Sequence, residues 1–150
     1  MYSFYPIQRA REIARCYSLP ISLEKVCNDG GIDLYFCDLE GIAACYMERH
    51  GKQLILVNDT ASRERQRFSI AHELGHYALN HGPMMFTMTA EQIPPRPPQC
   101  EVDSNKFAAE LLMPKPHLQR YGILSPQQIS LICCVSLQTA KIRTKELGWE

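Results

Sequence analysis

Residues 67–81, RFSIAHELGHYALNH, constrain the fold of this chain most, because they read as one helix that must lie in the protein interior. Their apolar side chains occupy much of the helix circumference rather than one face, so the helix must be covered on several sides. These side chains are Phe68, Ile70, Ala71, Leu74, Ala78 and Leu79. We expect Asn58, Asp59 or Thr60 to cap the start of this helix, and His81-Gly82-Pro83 to stop it near Asn80.

Shorter elements flank this central helix. Apolar spacing predicts helices over residues 6–17 and 101–112, a short helix after Pro116, and two helices about a break at 133–136. Residues 32–37, 42–48 and 53–57 read as strands separated by turn signals. We therefore expect an α+β fold, with a small, mostly antiparallel three-stranded sheet packed on the central helix. Further helices and a C-terminal helix-turn-helix-like pair at 123–150 complete it.

Composition narrows the class of protein. The 150 residues suit a single domain, and 16 basic residues balance 16 acidic ones, so charge favours neither nucleic acid nor an anionic membrane as partner. No apolar run approaches the roughly 20 residues needed to span a bilayer. Seven cysteines, an odd number without a CxxC pair, favour a reduced, cytoplasmic protein. Residues 82–100 read as a long loop with a polyproline-like stretch.

The central helix carries a pattern typical of a metal site. His72 and His76 are four residues apart, and on a helix such positions lie about 6 Å apart along the axis on one face. Both imidazoles can therefore reach one ion. Glu73 projects from the same side of the helix, where a general base for a metal-activated water would lie.

A catalytic zinc site normally has three protein ligands and one open position, so a third ligand must come from elsewhere. His81 does not fit HExxHxxGxxH, which would place glycine at 79 and histidine at 82. Glu101 is better placed, because it opens the next helix after a chain reversal; Asp103 and Glu110 are the alternatives. Asn105, one turn after Glu101, could hydrogen-bond a ligating imidazole.

The motif and its flanks resemble a known family. RQRFSIAHELGHYALNH is followed by EVDSNKFAAELLMP, with 24 residues between His76 and Glu101, and this resembles the ImmA/IrrE family of prokaryotic zinc metallopeptidases. The resemblance is specific over residues 63–114 and makes Glu101 the third ligand. Asn105, Phe107 and Ala108 match the family pattern, whereas Ser104 stands where alanine is usual.

This resemblance implies a single zincin-like metallopeptidase domain over residues 1–150, with one zinc ion per chain. The resemblance and the metal-site residues together predict an endopeptidase in which a zinc-bound water attacks a peptide carbonyl and Glu73 acts as general base. The implied substrate is a protein, a helix-turn-helix repressor. The oxyanion donor stays open among four residues, and the 42–48 strand is a candidate platform for an extended peptide. Those four are Tyr46, Tyr77, His81 and His117.

Two other functions compete with proteolysis. The chain could be a metal-binding regulator that sequesters a repressor without cleaving it. It could also bind DNA, because residues 128–143 are similar to a helix-turn-helix, and Lys141, Arg143 and Lys145 could meet phosphates. The simpler alternative for these residues is a helix pair that packs on the core. The sequence leaves the oligomeric state open.

Overall fold

The structure, a computed structural model, describes residues 4–85 and 96–149. Most of the expected loop at 82–100 therefore lies outside the described residues. Seven helices and four strands occur in the described ranges. In chain order they are α1 (Tyr5–Ala14), α2 (Leu23–Asp29), β1 (Ile32–Cys37), β2 (Ala44–Arg49), β3 (Lys52–Asn58), α3 (Arg63–Ala78), β4 (Met84–Met85), α4 (Pro98–Leu112), α5 (Lys115–Gln119), α6 (Pro126–Cys133) and α7 (Leu137–Glu146).

The α+β class is confirmed, with a small sheet beside a central helix. The strand order is β1-β3-β2-β4, in which β2 and β3 form an antiparallel hairpin. The expected antiparallel pairing of neighbouring strands was wrong for β1, which pairs in parallel with β3, as β4 does with β2. The unbroken apolar run at residues 54–57 of β3 is typical of a strand covered on both faces, as strands with parallel partners usually are.

Helix α3 lies in the core, where Ile70, Ala71 and Leu74 are buried among residues of the sheet and of α4. Its expected N-cap was wrong. Ser62 caps the helix by accepting a hydrogen bond from the Arg65 backbone N–H at 3.3 Å. Asn58 instead ends β3 and accepts the backbone N–H of the residue two positions later, so it forms a turn rather than a cap.

The other predicted helices are present with shifted ends. Helix α1 ends three residues before the expected limit at 17, and α4 begins three residues before 101. The short helix expected after Pro116 is α5, which already begins at Lys115. Helix α2 was not predicted, although Ser22 caps it through the backbone N–H of Lys25. None of the helices in the described ranges is long and apolar enough to cross a membrane.

Two buried arginines hold the C-terminal helices against the core. The guanidinium of Arg67 donates to the backbone carbonyls of Ile21, Cys133 and Cys134, so the turn after α6 is fixed to α3. On α7, Arg143 pairs with Glu110 of α4 and also donates to a backbone carbonyl at the end of α4. The C-terminal helices α6 and α7 therefore pack on the core.

This packing corrects one expectation of the DNA-binding alternative. Arg143, which was expected to meet phosphates, is buried and paired with a carboxylate. Lys141 and Lys145 on the same helix are exposed.

The Glu110 carboxylate gives a test of this packing. It is almost fully buried and lies between Arg11 and Arg143. Glu110→Gln removes its charge and leaves a buried guanidinium short of its partner, so we expect the free energy of unfolding to fall by about 3 kcal/mol. Urea denaturation measures this loss. Glu146→Gln, which removes the exposed partner of the same arginine, should cost less than about 1 kcal/mol; equal losses would contradict the buried pairing.

Candidate metal centre

Helices α3 and α4 bring three potential metal ligands together. The Nε2 atoms of His72 and His76 lie 3.1 Å apart. Glu101, in the first turn of α4, places Oε2 2.8 Å from Nε2 of His72 and Oε1 3.3 Å from Nε2 of His76. Two nitrogen atoms and a carboxylate thus converge from two helices on one small volume.

The spacing of these atoms fits a zinc ion. Ligands held about 2.0 to 2.1 Å from a tetrahedral zinc lie roughly 3.3 to 3.4 Å from one another. The three observed separations, 2.8, 3.1 and 3.3 Å, are close to that value. Two imidazoles and one carboxylate are also a ligand set that leaves the fourth position open, as catalytic zinc sites do.

The close contact of α3 with α4 requires Gly75. A Cβ atom added there would lie 3.1 Å from the Cα of Ser104 and 3.2 Å from Cδ1 of Phe107. An interior helical glycine costs roughly 1 kcal/mol relative to alanine, so the sequence predicts a close neighbour at this position, such as a strand or a substrate backbone. The neighbour is helix α4, so the glycine allows the helix that carries Glu101 to approach both histidines.

Glu73 lies beside the three converging atoms in a buried position. Ligand atoms of His72, Glu73 and His76 lie within 4.8 Å of one another. Within the described ranges its Oε2 atom is buried and has no hydrogen-bond partner. Burial raises the pKa of Glu73 to about 7, and the nearby charge of Arg96 opposes this shift. A carboxyl group with that pKa can both accept and return a proton near neutral pH.

The second nitrogen of each imidazole also has a partner. Asn105 places Oδ1 2.8 Å from Nδ1 of His72. Nδ1 of His76 lies 3.0 Å from Oγ of Ser104 and 2.9 Å from Nδ1 of His81. When both Nδ1 atoms carry the proton, two bare Nε2 lone pairs and a carboxylate face each other, an arrangement that a bound cation would stabilise.

The alternative third ligands lie elsewhere. Asp103, in the same turn as Glu101, accepts a hydrogen bond from Gln99 at 2.8 Å. Glu110 is the buried partner of Arg143 near the end of α4. Neither carboxylate is among the converging atoms.

The possible oxyanion donors occupy different places. Tyr46 donates to Gln53, Tyr77 donates to the carbonyl of Gly30, and His81 lies behind His76. His117 contacts the carbonyl of Tyr17 and lines a separate cavity of about 1030 Å³ between α1 and α5. None of the converging residues lines this cavity.

Two residues near the centre were not singled out from the sequence as groups acting at the site. Ser104 appeared only as a departure from the family pattern. Arg96 lies in a proline-rich stretch without periodicity, so no local signal marked it. Its guanidinium donates to the carbonyl of Gly82 at 2.9 Å. Its charge opposes the rise that burial causes in the pKa of Glu73, and it adds to the fall that burial causes in the pKa of His76.

The raised pKa of Glu73 predicts that this residue lowers the free energy of unfolding of the metal-free protein as the pH rises. Its usual pKa is 4.5, and in the folded state it is about 7. The folded protein therefore binds the proton more tightly, and stability falls as pH rises through this window. At pH 8, Glu73→Gln should raise the free energy of unfolding by on the order of 3 kcal/mol. At pH 5 the gain should shrink to less than about 1 kcal/mol.

Denaturation of the metal-free protein in chelator at the two pH values measures this difference. Glu64→Gln, at an exposed position in the first turn of the same helix, is the control and should show no such change between the two pH values. A gain that is the same at pH 5 and pH 8 would contradict the buried, protonated carboxyl.

This chain is similar to known proteins in sequence and in fold. The radiation response metalloprotease IrrE of Deinococcus radiodurans is 32% identical over 98 residues, which cover 61% of this chain and 29% of that protein. Among solved structures, a Mycobacterium tuberculosis transcriptional regulator has a similar fold, with a TM-score of 0.63 at 17% identity. That match covers 95% of this chain and 47% of the other. The chain thus spans less than half the length of either protein.

The match to the family covers the site as well as the fold. The sequence profile of the IrrE N-terminal-like domain matches residues 27–121, a range that contains β1 to α5 and all three converging residues. On this evidence the chain belongs to the ImmA/IrrE family of metallopeptidases.

Proposed function

We propose that this chain is a zinc-dependent endopeptidase that holds one zinc ion through His72, His76 and Glu101. The observation that carries the proposal is the convergence of these side chains, whose ligand atoms lie 2.8 to 3.3 Å apart. Membership of a metallopeptidase family supports a peptide substrate. The domain over residues 1–150 would then be a single catalytic unit.

Zinc bound at this centre would lower the pKa of a water molecule to about 7 and would act as a Lewis acid towards the scissile carbonyl. Glu73 is proposed as general base and then general acid. Its carboxylate takes the proton from the attacking water and returns it to the leaving amine. Its unpartnered Oε2 and its raised pKa suit both transfers.

The edge of β2 is the proposed platform for the substrate. β4 pairs with β2 only at Met47 and Glu48, so the described structure leaves the edge of Ala44 to Tyr46 uncovered. The backbone of Tyr46 lies beside the carboxyl group of Glu73, where it partly offsets the rise in the pKa of Glu73, so this edge adjoins the proposed base. An extended peptide could pair with the free edge and present its backbone to the metal centre.

The proposed substrate is a helix-turn-helix repressor in the cytoplasm. The resemblance to the ImmA/IrrE family implied this class of substrate. Two matched proteins support a regulatory setting: one is named a radiation response metalloprotease and the other a transcriptional regulator. The competing function is a metal-binding regulator that sequesters the repressor. It predicts the same metal site but no broken peptide bond.

The third ligand is tested by metal content. Glu101→Ala removes one of three ligands, and we expect zinc affinity to fall at least about 100-fold. Asp103→Ala, in the same helical turn, is the matched control and should bind zinc as the unmodified protein does. Competition with a chromophoric chelator measures both affinities. Equal affinity in the two variants would remove Glu101 as a ligand.

Cleavage is tested with a helix-turn-helix repressor whose gene neighbours that of this protein. We expect the zinc-loaded protein to cut it once or a few times, with new termini identified by mass spectrometry. Glu73→Gln should retain zinc but lose at least about 1,000-fold in rate, because the base is absent. Full inactivation of the repressor by the Glu73→Gln protein, without new termini, would instead establish sequestration.

A further inference from the structure

The side of His76 that faces away from the converging atoms is enclosed by two polar groups. Oγ of Ser104 lies 3.0 Å from Nδ1 of His76, and Nδ1 of His81 lies 2.9 Å from it. Ser104 and His81 also approach each other, at 3.5 Å. Ser104 is fully buried, and His76 is 1% exposed, so solvent does not compete for this nitrogen.

The protonation of His76 follows from these contacts. Its Nε2 faces Glu101 and the other histidine, so a metal held there needs the Nε2 lone pair and the proton must sit on Nδ1. The Nδ1–H group then requires an acceptor, and two are in range: the hydroxyl of Ser104 and the unprotonated Nδ1 of His81.

We propose that Ser104 and His81 share the Nδ1 proton of His76 and are positioning residues for the metal. This inference rests on the proposed role of His76 as a ligand. Together the two acceptors fix the tautomer and the ring orientation of His76, and a hydrogen bond to Nδ1 makes its Nε2 a stronger donor to a metal ion.

Helix α4 supports this arrangement by its spacing. Ser104 and Asn105 are successive residues, and each reaches the outer nitrogen of a different imidazole. Glu101 lies one turn earlier on the same helix. One helix therefore supplies a proposed ligand together with a hydrogen-bond partner for each of the other two. Ser104 adds to this set a hydroxyl that the usual alanine would lack.

Because two acceptors share one proton, each can compensate for loss of the other. We expect Ser104→Ala and His81→Phe each to weaken zinc binding only a few-fold, and the double variant to weaken it about 10- to 100-fold. The double variant should thus lose more than the product of the single losses. Chelator competition measures the affinities. The visible spectrum of the cobalt-substituted protein should change in the double variant, because ligand orientation changes.

Two controls separate this effect from a general loss of structure. Thr144→Val removes another fully buried hydroxyl, and His50→Asn removes a histidine in the β2–β3 turn; both should leave zinc affinity unchanged. Unfolding of the metal-free variants shows whether each is folded. Alanine is usual at position 104 in the family pattern, so we expect Ser104→Ala to fold.

The result that overturns the inference is a folded double variant whose zinc affinity is within about 3-fold of the unmodified protein and whose cobalt spectrum is unchanged. A loss of zinc affinity in the double variant equal to the product of the two single losses would also overturn the sharing of one proton. Both readouts are made without substrate. Absence of proteolysis would therefore contradict the proposed function and leave this inference standing, whereas absence of zinc binding would overturn both.

Discussion

The contact between α3 and α4 at Gly75 is the constraint on which the rest of the centre depends. The two helices are far apart in sequence, and only a residue without Cβ allows Ser104 to approach so closely. At that separation, Glu101 reaches both histidines of α3 and Asn105 reaches one of them. A larger side chain at position 75 would push against α4 and move Glu101, Ser104 and Asn105 together, because all three lie on that helix. Helix packing thus sets the geometry of the converging atoms.

The same packing places polar groups in an interior that disfavours them. Burial raises the pKa of Glu73 and lowers that of His76, so without metal the protein favours a protonated acid and a neutral imidazole. These forms carry the least charge, and the neutral imidazole is also the form that binds metal ions. A cation at the converging atoms would favour the ionised form of Glu73, which burial alone disfavours. The neutral imidazoles and the carboxylate of Glu101 are therefore the groups that could offset the cost of burying a cation, beside a carboxyl group that can exchange protons near neutral pH.

Near the C-terminal end of α4, the buried carboxylate of Glu110 has a structural role. Glu110 joins α1 to α7 through Arg11 and Arg143, and Arg67 joins α3 to the turn after α6. The C-terminal helices resemble a DNA-binding pair only in local features: both helices are capped, and a short turn joins them. In this chain Cys134 has the left-handed conformation in that turn. What distinguishes this pair is its attachment to the core, where Arg143 faces a carboxylate rather than solvent.

The sequence alone determined the central helix, the His72–Glu73–His76 spacing, the α+β class and the need for a close neighbour at Gly75, because these follow from local periodicity and from residue chemistry. It favoured Glu101 as the third ligand over Asp103 and Glu110, and the family pattern pointed to the same residue. It could not determine that β1 pairs with β3, that Ser62 caps α3, that Arg143 is buried, or that Ser104 and His81 meet behind His76. Each of these depends on contacts between residues distant in sequence or on competition between neighbouring capping groups, and only the packed tertiary structure decides which contacts form.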